Sequence, residues 1–302
     1  MTQALKTTPI EAPSIARSDP AASILVVSGQ REIGIRAGSV VNGVQFAANT
    51  PIVLPLDLAP GADFYVSFGA DNNPVATAAL GLPDVEVFAG FHFAPGGNAV
   101  GRSGGDEEPA INPFSCWDAG FRPACPDPRG MAIVDLPHGK RVWVDIYKLG
   151  VDHIEHGTSR FGVKIADGND LPQKIGGKGR YRALDYKTAV EIYAHHGKQL
   201  LSFDEFRAAA FGVTEKIAAG NDPKITGLDA ARTSQRGIMQ ATGNLWDWGH
   251  DGDPDDRRPS IFGGSWWGGD DAGSRDAYLV HWAGHSGGLL SARGRSDHLT
   301  PE

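Results

Sequence analysis

The sequence is poor in sulfur and in basic charge. Two cysteines, Cys116 and Cys125, and three methionines stand among 302 residues, too few for a disulfide framework or a cysteine-rich metal site. Lys and Arg number 28 against 36 Asp and Glu, a net charge of −8. A phosphate backbone finds no basic footprint there, so no nucleic-acid partner is expected. No apolar run approaches the ~18–20 residues of a membrane helix, which argues against membrane insertion. Residues 1–20 are polar and proline-broken and lack the apolar core of a secretory signal.

What is abundant is the turn former. Forty glycines and twenty prolines predict many turns and short strands rather than long helices. The length corresponds to about two domains of ~150 residues. Residues 1–22, rich in Thr, Ala, Pro and Ser, are expected to be a flexible leader. From residue 23 the texture changes: 24–27, 32–36, 40–46, 52–54 and 64–68 are short β-type runs. Ser28-Gly29, Ala37-Gly38, Asn42-Gly43 and Pro60-Gly61 separate them. This spacing predicts an antiparallel β-sandwich, with a further strand over 85–93 and a loop-like connector over 94–130. The domain boundary is expected near 129, giving a leader (1–22), a β-sandwich with connector (23–129) and a second domain (130–302).

Residues 131–135 and 141–147 read as strands, the second alternating in character. Asp185 can cap a helix that carries Ala189, Ile192 and Tyr193 on one face and stops at Gly197. Ser202 and Glu205 have capping-box spacing and open a second helix through Phe206 to Gly212. Residues 241–302 hold twelve of the forty glycines and five of the seven tryptophans. Two helices before a Trp- and Gly-rich β region make the class α+β.

Here the residues become specific. Thr242-Gly243-Asn244-Leu245-Trp246-Asp247-Trp248-Gly249, Phe262-Gly263-Gly264-Ser265-Trp266 and Ala292-Arg293-Gly294 resemble the C-type-lectin fold in its formylglycine-generating-enzyme-like branch. Gly273-Ser274-Arg275, Arg295-Ser296-Asp297-His298, and upstream Gly90-Phe91-His92-Phe93, Phe121-Arg122-Pro123 and Ala194-His195-His196-Gly197-Lys198 narrow the match. Together they resemble the phage major tropism determinants, receptor-binding proteins rewritten by diversity-generating retroelements, from about residue 30 onward. Where members can carry an extra N-terminal β-prism domain, this chain has a Pro-rich leader.

The resemblance implies a second domain of C-type-lectin fold whose ligand-binding positions are Ser265, Trp267, Gly269 and Asp271, then Tyr278, Leu279, Val280 and His281, then His285, Gly287, Leu289 and Leu290. The first four, and the trio His285, Gly287 and Leu289, fall at period two, so extended backbone would turn each set to one face. Trp266, Gly268, Ser286 and Gly288 would point into the scaffold. Tyr278, Trp267 and His281 offer amphipathic contact area with few rotors. Trp246, Trp248, Trp266 and Trp282 are assigned to the core. Trp267 is left open between core and contact, since adenine-directed change of AAY codons yields no Trp. The resemblance also implies a homotrimer, a bacterial surface receptor (protein or glycan) as ligand, and other phage tail proteins as neighbours. It implies a place at the tail fibre tip of the virion after synthesis in the host cytoplasm.

Rival chemistries are weaker. A formylglycine-generating oxidase needs a thiolate pair in its lectin core, whereas both cysteines lie outside it and read as free thiols. A calcium-dependent sugar lectin would use Asp251, Asp253, Asp255 and Asp256, but an EF-hand loop needs Gly and Glu where Asp256 and Phe262 stand; a solvated acidic loop is expected. His153 with His156, and His195 with His196, lack a third ligand at metal spacing, and His196 is expected to serve helix-end carbonyls. The residues assign no catalytic group, no metal and no cofactor.

Overall fold

The computed structural model describes residues 13–84, 86–97 and 104–299; residues 1–12 of the expected leader lie outside them. Ala37-Gly38 and Pro60-Gly61 separate strands as anticipated, whereas Ser28-Gly29 lies within a strand and Asn42-Gly43 divides the run expected over 40–46 into two. Leu25–Gly29 and Glu32–Ile35 form a hairpin in which Leu25 faces Ile35 and Val27 faces Ile33, and Thr50–Pro51 adds to its far edge. Val40–Val41 and Val44–Gln45 form a second hairpin around Asn42 and Gly43, both at positive φ, as a type I′ turn requires.

The leader needs correction. Ile15–Ala16 pairs with Val40–Val41 as a third strand, Ser14 exchanges backbone and side-chain bonds with Asn42, and Arg17 reaches the buried Asp118. Its second half is therefore structured.

The long strand Ala62–Phe68 pairs with Pro74–Ala78 on one side and Ala89–Ala94 on the other. Pro74–Ala78 escapes sequence reading because two alanines and an initial proline dilute the β signal of Val75 and Thr77; proline is tolerated at the first residue of a strand. The strand expected over 85–93 begins only at Ala89, with Val85 outside the described residues. Ala89–Ala94 is buried throughout and takes Ala110–Ile111 and Trp117–Asp118 as further partners, so the expected connector contributes two strands.

The rest of the chain is organised by an eight-stranded sheet. Its order runs Met131–Asp135, Arg141–Asp145, Gly294–Asp297, Gln199–Ser202, Trp246–His250, Pro259–Phe262 and Ala277–Tyr278, with Leu290–Ala292 pairing in parallel with Trp246–His250. The last strand of the chain thus closes against the first hairpin of this region. Strand makes up 30% of the chain and helix 12%, so β structure dominates the mixed class expected. Helix Tyr186–His195 starts where Asp185 accepts the Thr188 N–H (2.8 Å). Helix Phe203–Ala209 starts at the Ser202/Glu205 capping box. The four-residue helix His153–His156 carries no sequence signal of its own.

Two indoles and one guanidinium hold the centre. Trp143 and Trp248 are fully buried, and their ring N–H groups donate to His298 Nδ1 and the Leu184 carbonyl, each at 3.0 Å. Buried Arg293 donates to the carbonyls of Asp145, Ile146 and Met239 at 2.7 to 2.8 Å. Its neighbour Gly294 must be glycine because a Cβ there would enter the Tyr193 ring. The Ala292-Arg293-Gly294 motif is therefore a packing device.

Candidate functional site

The site stands on Trp246–His250. Asp247 at its centre is buried and bonded by Lys148 Nζ at 2.7 Å, with Arg293 Nε 3.6 Å away. Burial pulls the Lys148 ammonium down to about 8 against the pull of Asp247. These groups anchor the strand from below.

From Phe262 the chain leaves the sheet through Gly263 and Gly264, both at positive φ. Trp266 N–H donates to the Asn244 carbonyl (2.7 Å), Gly268 N–H to Ser265, and Asp271 N–H to Gly268. The segment 265–271 is thus a succession of turns, not the extended backbone on which the period-two argument relied. The outcome is mixed: Trp267 is 75% exposed and Gly269 and Asp271 face solvent, but Ser265 is buried at 4%. Trp266 and Gly268, expected to point into the scaffold, are both half-buried.

Tyr278 ends a strand paired with Ile261; its ring lies 5.3 Å from that of Trp246 and it is 59% exposed. Leu279 and Val280 are exposed, and His281 is half-buried against the Trp248 ring. Partial burial and the neighbouring His285 push the His281 imidazole below its ordinary range. His285 is exposed, while Gly287 and Leu289 are half-buried in turns. Leu290, at 2% exposure, belongs to the strand beside Trp246 and is core. Ser265 and Leu290 are therefore buried, whereas seven of the other ten candidates are exposed and His281, Gly287 and Leu289 are half-buried.

Trp282 corrects the core assignment in the other direction, at 74% exposure. Its signal was positional: it sits between His281 and His285, before the Ala283-Gly284 turn. Trp248 is core as expected, and Trp246 is half-buried.

The backbone of this segment is held by scaffold groups. Ser274 bonds the Glu215 carboxylate, His281 N–H donates to Pro259, Tyr186 N–H donates to Ala283, and Gly168 N–H donates to Gly287. Leu184 N–H donates to Ser286 Oγ (2.9 Å), and Trp246 N–H to the Leu289 carbonyl. None of these bonds uses an exposed candidate's side chain. The surface can therefore change its side chains while its course over the scaffold is kept.

The rival sites look different in three dimensions. In the acidic loop, Asp253 accepts the N–H groups of Asp255 and Asp256, and Asp251 those of Asp253 and Arg258; the carboxylates close turns. His196 is corrected: its backbone, not its side chain, meets the helix-end carbonyls. Its Nε2 lies 2.9 Å from His153 Nδ1, and His153 Nε2 donates to the Gln173 carbonyl (2.7 Å). Since a carbonyl only accepts, His153 Nδ1 is the bare nitrogen and His196 donates to it. Cys116 and Cys125 are free and buried, and burial pushes the Cys116 thiol up to about 12. Among the described residues no group of three or more His, Cys, Asp or Glu is arranged to hold a metal ion, and no helix is long and apolar enough to cross a membrane.

No protein-family model matches the chain. It is 35% identical to the tail fiber receptor-binding protein of Bordetella phage BPP-1 over 95% of its own length and 85% of that protein's. Among solved structures it is similar to the Major Tropism Determinant U1 variant (TM-score 0.85, 34% identity, 95% of this chain and 86% of that one). It is equally similar to the M1 variant (TM-score 0.85, 35% identity, 96% and 87%).

Proposed function

This chain belongs to the major tropism determinant family of phage tail-fibre receptor-binding proteins, and on that premise we propose that it attaches a virion to a bacterial surface molecule through the exposed face built from residues 267–289. The observation that carries this is the separation described above: backbone held by scaffold donors and acceptors, aromatic and imidazole side chains turned outward. Exposed Trp267, Tyr278 and Trp282 supply rigid contact area of the kind that anchors recognition surfaces. Its relatives are adhesins, not oxidases, and an adhesin needs no nucleophile, metal or cofactor at this face.

Four finer points complete the proposal. The region from about residue 130 is a C-type-lectin domain following a β-sandwich of 23–129. Three chains assemble as a homotrimer, so that weak single contacts add as avidity. The protein sits at the tail fibre tip beside other tail proteins. The exposed positions are diversified by a retroelement, which makes the receptor, protein or glycan, a property of each variant.

The test is adsorption. The triple variant Trp267→Ala, Tyr278→Ala, Trp282→Ala is expected to lose host-cell binding while keeping the wild-type melting temperature. Unimpaired binding would remove the face from the reading. Diversification is tested on DNA: a near-copy of codons 262–294 differing mainly at adenines, beside a reverse transcriptase gene, is the expected finding, and a fixed ligand follows if none exists.

A further inference from the structure

His281 and His285 form a pair that receptor binding does not by itself require. His285 N–H closes a turn onto the Trp282 carbonyl (3.0 Å), which brings the two imidazoles edge to edge. Their planes are inclined by 28° with centroids 5.0 Å apart, and His281 Nε2 lies 2.9 Å from His285 Nδ1. One proton occupies that gap, so one nitrogen donates and the other keeps its lone pair. Two imidazole nitrogens on one tetrahedral Zn2+, each ~2.0–2.1 Å from the metal, lie about 3.3 Å apart. Opening the pair by a few tenths of an ångström and turning each ring by roughly 35°, so that both lone pairs converge on one point, converts the hydrogen bond into a tetrahedral chelate.

The surroundings favour that conversion. The pair is reachable from solvent. Among the described residues no third His, Cys, Asp or Glu is placed to complete a metal site with the pair, so no carboxylate joins the donor set. Two nitrogens without oxygen select zinc, nickel or copper over calcium or magnesium. The buried Trp248 ring, 5.7 Å from that of His281, and the His281 N–H bond to Pro259 fix one ligand in place.

We propose that His281 and His285 chelate a divalent transition cation on this surface, leaving the remaining coordination positions to water or to donor groups of a bound partner. The proton between the rings passes through solvent to the outer nitrogen that lacks one, so the neutral pair releases none on binding.

The test is calorimetric titration of the intact, chelator-stripped chain with Zn2+ at neutral pH, with Mg2+ and Ca2+ alongside. One saturable Zn2+ site is expected, with neither hard cation competing. His281→Ala and His285→Ala each lower the affinity by at least about tenfold, the loss caused even by removing an outer partner of a metal ligand. His196→Ala, in the other imidazole cluster, leaves it unchanged. Absence of saturable Zn2+ binding, binding retained in both ring variants, or its loss in His196→Ala would each overturn the proposal. The titration contains no receptor, so its failure leaves the adsorption reading standing, and failed adsorption leaves this site standing.

Discussion

Trp248 and Trp282 are the same side chain in one glycine-rich stretch, and the fold uses them oppositely. Trp248 is enclosed and spends its ring N–H on the Leu184 carbonyl; Trp282 stands on the surface beside His285. The first belongs to a platform of Trp246–His250, Leu290–Ala292 and Arg293, where the two terminal guanidinium nitrogens donate to backbone carbonyls and Nε faces Asp247 at 3.6 Å as an ion pair without a hydrogen bond. The second belongs to a segment held mainly through its backbone, with the Ser274 and Ser286 hydroxyls as side-chain ties. In one region the side chains specify the fold; in the other the backbone largely does, and its exposed aromatics make none of those ties.

The platform should be the expensive half to disturb. Trp248→Ala is expected to cost about 3–5 kcal/mol by leaving a large cavity, and Arg293→Ala a similar ~3–5 kcal/mol by unpairing a buried ionic group. Denaturant unfolding measures both, and a loss under 1 kcal/mol would dissolve the contrast. Leu290→Ala tests where the boundary runs. As a core residue it should lose ~2–5 kcal/mol, with adsorption falling only as far as folded protein is lost.

Acid acts next, through the other imidazole cluster. Burial first, then His153, Lys198 and His195, hold His196 down to about 3, against roughly 6.5 in an unfolded chain. The unfolded state therefore binds the extra proton between these values. Stability is fully present above ~6.5 and drains as pH falls towards 3. The melting temperature should drop between pH 7 and 4, and His196→Gln should flatten that drop; an unchanged slope would remove His196 as its source.

The smallest effect on stability belongs to the exposed aromatics. Trp267→Ala, Tyr278→Ala and Trp282→Ala should each lie within about 0.5 kcal/mol of wild type. A larger loss for any one of them would move that residue to the platform side.

Local rules carried much of the fold. Asp185, Ser202 and Glu205 announced both helices, since capping is decided within four residues, and Asn42-Gly43 carried a turn signal although 40–46 read as a single strand. The ordered motifs around Trp246, Gly263-Gly264 and Arg293 led to the family, because each is a packing requirement that leaves few residue choices. Pairing of Ile15–Ala16 with Val40–Val41, or entry of the bland Pro74–Ala78 into a sheet, was not legible, for these strands exist only where a partner edge is already built.

The candidate site divides the same way. The resemblance carried by the sequence supplied the twelve candidate positions; seven of them are exposed, His281, Gly287 and Leu289 are half-buried, and Ser265 and Leu290 are buried. Tertiary structure decided their directions. Period-two alternation holds only in extended chain, and the hydrogen bonds of Trp266 to Asn244 and Gly268 to Ser265 coil the segment into turns. That coiling buries Ser265 while lifting Trp267 outward. The parallel pairing of Leu290 with Trp246 draws Leu290 into the core, and the turn at Ala283-Gly284 lifts Trp282 out of it. A side chain's direction is set by the bonds its backbone makes, and here those partners lie far away in sequence.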